Sequence, residues 1–328
     1  MTTMRKYSIM AVSLGSFLSM VMLLPANGAV NVQCPGDIDG DARWDSPGEP
    51  NLADPAYKPG ITRCMHLGAG DGFITMADGV PQYIFGFSKL TQGPADAMME
   101  GMLGANFPAP LIELNEGDEF YLTLTNVGMA VRPDLFDPHT VHYHGFPQAA
   151  PIFDGVPDAA ISINMGSSLT YFYKVNDAGT FMYHCHVEAT EHMQMGMLGN
   201  LYVHPAQDGT TYNYGGRNYT TFAYNDGDGS TGYDVDYPIQ IGSFDSSFHN
   251  ASETVQPLPF ALMEDNYPML NGRGYPDTVN TGPMPQPMAD GEDLNGMADS
   301  QVEHSLITAD PGQRVLLRIS NLNVTRFY

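Results

Sequence analysis

Two short stretches hold most of the side chains able to do chemistry. The first reads His139-Thr140-Val141-His142-Tyr143-His144-Gly145. The second reads Tyr183-His184-Cys185-His186-Val187-Glu188-Ala189-Thr190-Glu191-His192-Met193-Gln194-Met195-Gly196-Met197. Six of the ten histidines of the chain fall in them, a density that chance does not explain. Along a strand, side chains alternate between faces. His142 and His144 therefore share a face, and His139 points the other way. His184 and His186 share a face, with Cys185 opposite. Side by side, the two strands offer four imidazoles on one face and His139 with Cys185 on the other. His192 and Met197 follow on a loop able to fold back toward Cys185. Two imidazoles, a thiolate and a weak axial thioether form the donor set of a blue-copper electron-transfer centre. Met193 and Met195 are rival axial donors. Four imidazoles without a carboxylate suit copper or zinc.

The elements that must position these residues read as strands. Runs at 111–114 and 120–125 flank a turn at 115–118. Further runs lie at 141–143, 160–164, 169–175, 180–185 and 198–203, separated by Gly, Pro and Asp. This spacing predicts an all-β sandwich or barrel. Residues 30–105, rich in Gly, Pro and Asp, predict an N-terminal extension with little regular structure. Residues 206–257 predict an acidic, Gly-rich solvated linker, in which 225–230 misses the spacing of a calcium-binding EF-hand loop. Leu111-Ile112, Gly117, Phe120, Leu122, Leu124 and Asn126 recur 195 residues further on as Leu306-Ile307, Gly312, Val315, Leu317, Ile319 and Asn321. A second copy of the same β unit is therefore expected over 258–328. Its histidine segment would fall beyond Tyr328, so the chain is expected to be a fragment or truncated product of a longer protein.

Composition narrows the function. Thirteen Lys and Arg stand against 37 Asp and Glu in 328 residues, a net charge of −24. Such a chain repels phosphate backbones, which excludes a nucleic-acid partner. Thirty-five Gly and 25 Pro argue against a helical bundle. Residues 1–29 read as a secretory signal: Arg5 and Lys6, an apolar run over 8–24, then small residues. No other run is long enough for an integral membrane span. The expected location is exported: periplasmic, outer-membrane-associated or secreted. Cys34 and Cys64 flank a polar loop and can pair in an oxidising compartment, although sequence alone does not fix the pairing.

Residues 108–205 resemble the multicopper oxidases, nearest to large exported bacterial ones. The resemblance is carried by Pro110, Gly117-Asp118, His142-Tyr143-His144-Gly145, Asp154-Gly155, Gly179-Thr180 and His184-Cys185-His186. It continues weakly over 258–328 and does not reach 30–100. It implies a Greek-key cupredoxin sandwich, with one complete domain at 106–205 and the start of a second. It implies that His139, Cys185 and His192, with Met197 axial, hold type 1 copper. His142 would hold type 2 copper, and His144, His184 and His186 type 3 copper. Electrons from a phenolic or metal-ion substrate would enter at type 1 copper and pass through the His-Cys-His segment to a cluster that reduces dioxygen to water. Asp154 resembles a proton relay, with a simple turn residue as the alternative. The step from Cys185 to His192 is longer than the usual oxidase spacing. The chain also lacks the second set of cluster histidines, so a missing C-terminal domain or a homo-oligomer would have to supply them. The alternatives are a copper nitrite reductase-like enzyme, or a non-catalytic copper-binding electron-transfer or copper-tolerance protein.

Overall fold

The computed structural model describes residues 33–37, 62–91, 96–146, 149–254, 257–287, 299–326 and 328. The signal reading of 1–29 lies outside them. The strands and helices used below are β1 (Thr62–Thr75), β2 (Pro81–Lys89), α1 (Ala97–Gly101), β3 (Ala109–Asn115), β4 (Glu119–Gly128), β5 (His142–His144), β6 (Ser168–Lys174), β7 (Gly179–His184), α2 (Ala189–Met195) and β8 (Leu198–His204). They continue with β9 (Tyr212–Tyr214), β10 (Arg217–Tyr219), β11 (Val235–Phe244), α3 (Ser246–Ser252), β12 (Tyr267–Leu270), β13 (Met284–Pro285), β14 (Asp299–Gln301) and β15 (Val315–Asn321).

Two four-stranded sheets face each other, one in the order β2-β1-β4-β6 and the other β3-β8-β7-β5. Alternate residues of each sheet meet between them. Leu67, Tyr83, Phe85, Phe120, Leu122, Leu124 and Tyr171 from the first sheet pack with Ile112, Leu114, Tyr183 and Leu201 from the second. Each such side chain, removed from water, stabilises the sandwich by about 1.5–3 kcal/mol. The runs at 111–114 and 120–125 are strands, but not a hairpin. β3 runs parallel to β8 in one sheet, and β4 runs parallel to β1 and antiparallel to β6 in the other. The turn between them is a corner, held by Asp118, whose carboxylate accepts from Asn115 N at 2.8 Å and Arg63 Nε at 3.0 Å. At 160–164 there is a single bridge, Ile163 to His139, in place of a strand. The Ile163 carbonyl is shared with the Asn126 amide side chain at 2.9 Å.

Two expectations are corrected. Residues 62–89 of the N-terminal extension are strands of this sandwich, not irregular chain. Three glycines on one face of β1 disguise it. A Cβ at Gly68 would lie 2.7 Å from Ser88 Oγ, and one at Gly70 would lie 2.6 Å from Val127 Cγ2. Glycine there is what lets neighbouring elements close in. Residues 33–37 join this region through the Cys34–Cys64 disulfide, with Cα atoms 5.8 Å apart.

Regular structure also begins well before 258. After the β9–β10 hairpin, β11 forms the centre of a separate three-stranded sheet, ordered β12-β11-β15. Pro238 argues against a central strand in sequence. It is tolerated because β12 pairs with β11 only from Ile241 onward. β15 runs parallel to β11 just as β4 runs parallel to β1, so the 195-residue repeat is structural as well as sequential. The two copies differ in cover. Phe120, Leu122 and Leu124 are 1%, 0% and 0% exposed, whereas Val315, Leu317 and Ile319 are 39%, 46% and 54% exposed. The opposite face of β15 docks on the first sandwich. Arg318 is buried between Asp236, Tyr233 and the ring of Tyr202, and Ser320 bonds to Asn200.

Candidate metal centre

The pairing of β5 with β7 builds both histidine groups. His142 lies opposite His184, Tyr143 opposite Tyr183, and His144 opposite Met182. Nitrogen atoms of His142, His144 and His184 all lie within 4.8 Å of one another. His144 Nε2 is 2.9 Å from His184 Nε2. His186 is not within that tight set, but its ring is 5.0 Å from that of His142 and 5.5 Å from that of His184, centroid to centroid.

Backbone carbonyls choose the tautomers. His142 Nδ1 meets the carbonyl oxygen of Asp154 at 2.5 Å, and His184 Nδ1 meets that of Cys185 at 2.7 Å. A carbonyl only accepts, so each Nδ1 carries hydrogen and Nε2 is the nitrogen left to face a metal. This is the usual way an imidazole is oriented for a metal. The Asp154 carboxylate is 3.7 Å from His142 Nδ1 and 41% exposed. Gly155 follows with φ +77°, and a Cβ there would fall 2.1 Å from the Val141 carbonyl oxygen.

The second group is His139, Cys185 and His192, all fully buried. Cys185 Sγ lies 3.2 Å from His192 Nδ1 and 3.7 Å from His139 Nδ1. Thr140 N–H points at the sulfur from 3.5 Å, and the Thr140 hydroxyl accepts from His186 N at 3.2 Å. His192 stands on a helix, α2, rather than the expected loop. Gly196, at φ +119°, ends that helix. Met195 and Met197 are both buried in the same core as Cys185. Cys185 N–H donates to the Met197 carbonyl at 3.1 Å, which ties Met197 to the cysteine strand.

The electrostatics suit a metal. Burial pushes the pKa of His192 down to about 3 and that of His184 to about 4. Burial, with His192 nearby, holds His139 well below its ordinary value. Burial lowers His144 too, helped by His142 and His186. All are therefore neutral ligands at pH 7. Burial raises the Cys185 thiol to about 12, so it keeps its proton until a cation displaces it. His139 Nε2 and His192 Nε2 are buried without partners. Sequence reasoning missed Thr140 and the Asp154 carbonyl. It also missed Glu191, buried beside His192, whose pKa rises to about 7 through burial and the charges of Glu188 and Asp137.

The four remaining histidines are occupied elsewhere. His66 bonds to Thr125, His204 pairs with Asp208, His304 meets Tyr237, and His249 lies between two carbonyls. Among the described residues, no helix is long and apolar enough to cross a membrane.

A cupredoxin-type sandwich with a buried His-Cys-His group beside an imidazole cluster defines a class of copper protein. Residues 92–208, which carry both groups, match the model of the multicopper oxidase family. A multicopper oxidase of Talaromyces pinophilus is 33% identical over 121 residues, 36% of this chain and 19% of its own length. One from Mycobacterium tuberculosis is 37% identical over 106 residues, 30% of this chain and 19% of its own length. The chain thus spans about a fifth of the length of these curated relatives. A solved blue copper oxidase from Nitrosomonas europaea is 26% identical, with a TM-score of 0.47 over 68% of this chain and 56% of that one.

Proposed function

We propose that this chain is the copper-handling part of an exported multicopper oxidase. The observation that carries the reading is the position of Cys185. Its sulfur faces His139 and His192, and its chain neighbour His184 belongs to the imidazole group. Two donor sets of different chemistry are thereby joined through one peptide unit. The residues suit copper: thiolate with two imidazoles at one set, imidazoles alone at the other. Bound there, copper would supply one-electron chemistry: four electrons from a phenolic or metal-ion substrate, with four protons, would reduce one dioxygen to two waters, and the Cys185 segment would link the two donor sets.

The protein's own groups have separate tasks. His139, Cys185 and His192, together with Met197, would hold the type 1 ion in a dry pocket. Met197 is preferred to Met195 because its carbonyl is fastened to Cys185 N. His142 would serve type 2 copper, and His144, His184 and His186 type 3 copper. The Asp154 carbonyl orients His142. Its half-exposed carboxylate relays protons between solvent and that face. β15 belongs to a second domain of the same kind, whose cover and further cluster histidines come from another domain or another copy. A second reading, an electron carrier without turnover, is favoured by one observation: the other four histidines are all engaged away from the imidazole group.

Electron paramagnetic resonance on the copper-loaded chain, with copper counted in the same sample, tests both. A narrow-hyperfine signal with more than one copper per chain supports the oxidase. The same signal with one copper supports the carrier. No such signal from folded, loaded protein refutes the His139–Cys185–His192 assignment.

A further inference from the structure

His249 belongs to neither histidine group, yet it reaches the helix that carries His192. It lies in α3, whose first turn is capped by Asp245 accepting from Ser247 N and Phe248 N. The ring is fully buried and packs on Phe244, centroids 4.2 Å apart. Its Nδ1 is 2.5 Å from the Tyr83 carbonyl oxygen, and its Nε2 is 2.9 Å from the Gln194 carbonyl oxygen. Those carbonyls sit on different elements. Tyr83 is on β2, the edge strand of the first sheet. Gln194 is in the last turn of α2, where carbonyls have no helical partner. The amides of Gly196 and Met197 bond back to His192 and Met193, which leaves the Gln194 carbonyl to His249.

A helix as short as α2 has no stability of its own, so contacts decide where it stands. β2 supplies the wall. A Cβ on Gly196 would come within 2.8 Å of the Phe85 carbonyl oxygen, and the Phe85 ring meets that of His192 edge-on at 5.8 Å. His249 is the polar tie across the same contact. Burial holds it neutral, with a pKa down at about 4 against the opposing pull of the Tyr83 and Gln194 carbonyls and of Asp245 and Asp265. Either nitrogen has a carbonyl to donate to, so the ring bridges the two elements.

We propose that His249 is a positioning residue for the Cys185 centre: it pins the C-terminal end of α2 to the edge of β2, and so fixes where His192 stands relative to Cys185. This rests on the copper reading of that centre.

Two variants of the full chain separate the outcomes. His249→Phe keeps a flat ring on Phe244 and removes every donor. His249→Gln keeps one amide donor. The first readout needs no copper. Cys185 is the single free thiol, so its alkylation by iodoacetamide reports opening of its buried pocket, and urea unfolding of each variant separates local from global opening. Alkylation of metal-free His249→Phe is expected to be roughly tenfold faster than in the parent, with His249→Gln near the parent rate. The second readout is the copper-loaded chain, where His249→Phe shifts the sulfur-to-copper absorption band and the copper hyperfine splitting, and His249→Gln restores both. Parent-like alkylation and spectra in His249→Phe overturn the proposal, as do equal changes in the two variants. If the parent binds no copper at Cys185 while the alkylation rates differ as stated, the copper reading fails and the pinning of α2 stands.

Discussion

Cys185 Sγ and His192 Nδ1 approach to 3.2 Å across the gap between β7 and α2, with neither atom reachable by solvent. A thiol and an imidazole held this way make a donor pair that no water can replace. Cys185→Ser is therefore expected to abolish the intense blue absorption of the copper-loaded chain while copper at the imidazole group remains. Absorption and copper analysis on one sample check this. A blue band that survives the substitution would show that another sulfur is the donor.

His144 gives the complementary case. It is exposed, and its Nε2 faces that of His184. His144→Ala is expected to change stability by no more than about 0.5 kcal/mol. It should lower the copper count and leave the blue band untouched. Loss of both signals together would mean that the two groups are not independent sites.

Asp226 organises the loop between the two sheet systems. Its carboxylate accepts from Gln207 Nε2 at 2.8 Å, Gly229 N at 2.8 Å, Thr231 N at 2.6 Å and Thr231 Oγ1 at 2.6 Å. Burial raises its pKa, but these hydrogen bonds outweigh burial and lower it below the usual carboxylate range. A carboxyl with a lowered folded-state pKa stabilises fully above its unfolded pKa, and that contribution is lost as pH falls through the folded value. Asp226→Ala is expected to cost about 2–3 kcal/mol at pH 7. The difference from the parent should shrink as pH drops below about 3.8. Urea unfolding at several pH values measures it. With its oxygens filled by the loop's own donors, this carboxylate is not set up for calcium, and added calcium should leave the midpoint unchanged.

Val315, Leu317 and Ile319 present an apolar row where the first copy is covered. Such a row binds hydrophobic dyes and favours association. The double variant Leu317→Lys, Ile319→Lys is expected to lower anilinonaphthalene sulfonate fluorescence and self-association, with stability within about 0.5 kcal/mol per site. An unchanged dye signal would mean that the row is already covered.

The grouping of the side chains was legible because period-two alternation carries through β5 and β7. His142 does face His184, and Cys185 does turn to the side of His139. The repeat was legible for the same reason, since β4 and β15 keep one pattern in two settings. What was missed depends on packing. Gly68 and Gly70 look like loop residues until Ser88 and Val127 are seen against them. Pro238 looks like a breaker until its unpaired side is known. The Asp154 carbonyl is main chain and leaves no mark on composition. His249 gains its role from α3 folding over β2, a contact 166 residues away in sequence.

Gly155 carries a consequence for descent. With the Val141 carbonyl pressed against it, residue 155 has no room to drift, and any side chain would push on the peptide that precedes His142. Sequences that diverge in the surrounding loop are expected to stay confined at this one position. A relative that has replaced the glycine is expected to have lost the placement of His142 beside His184, and with it whatever that group of imidazoles holds.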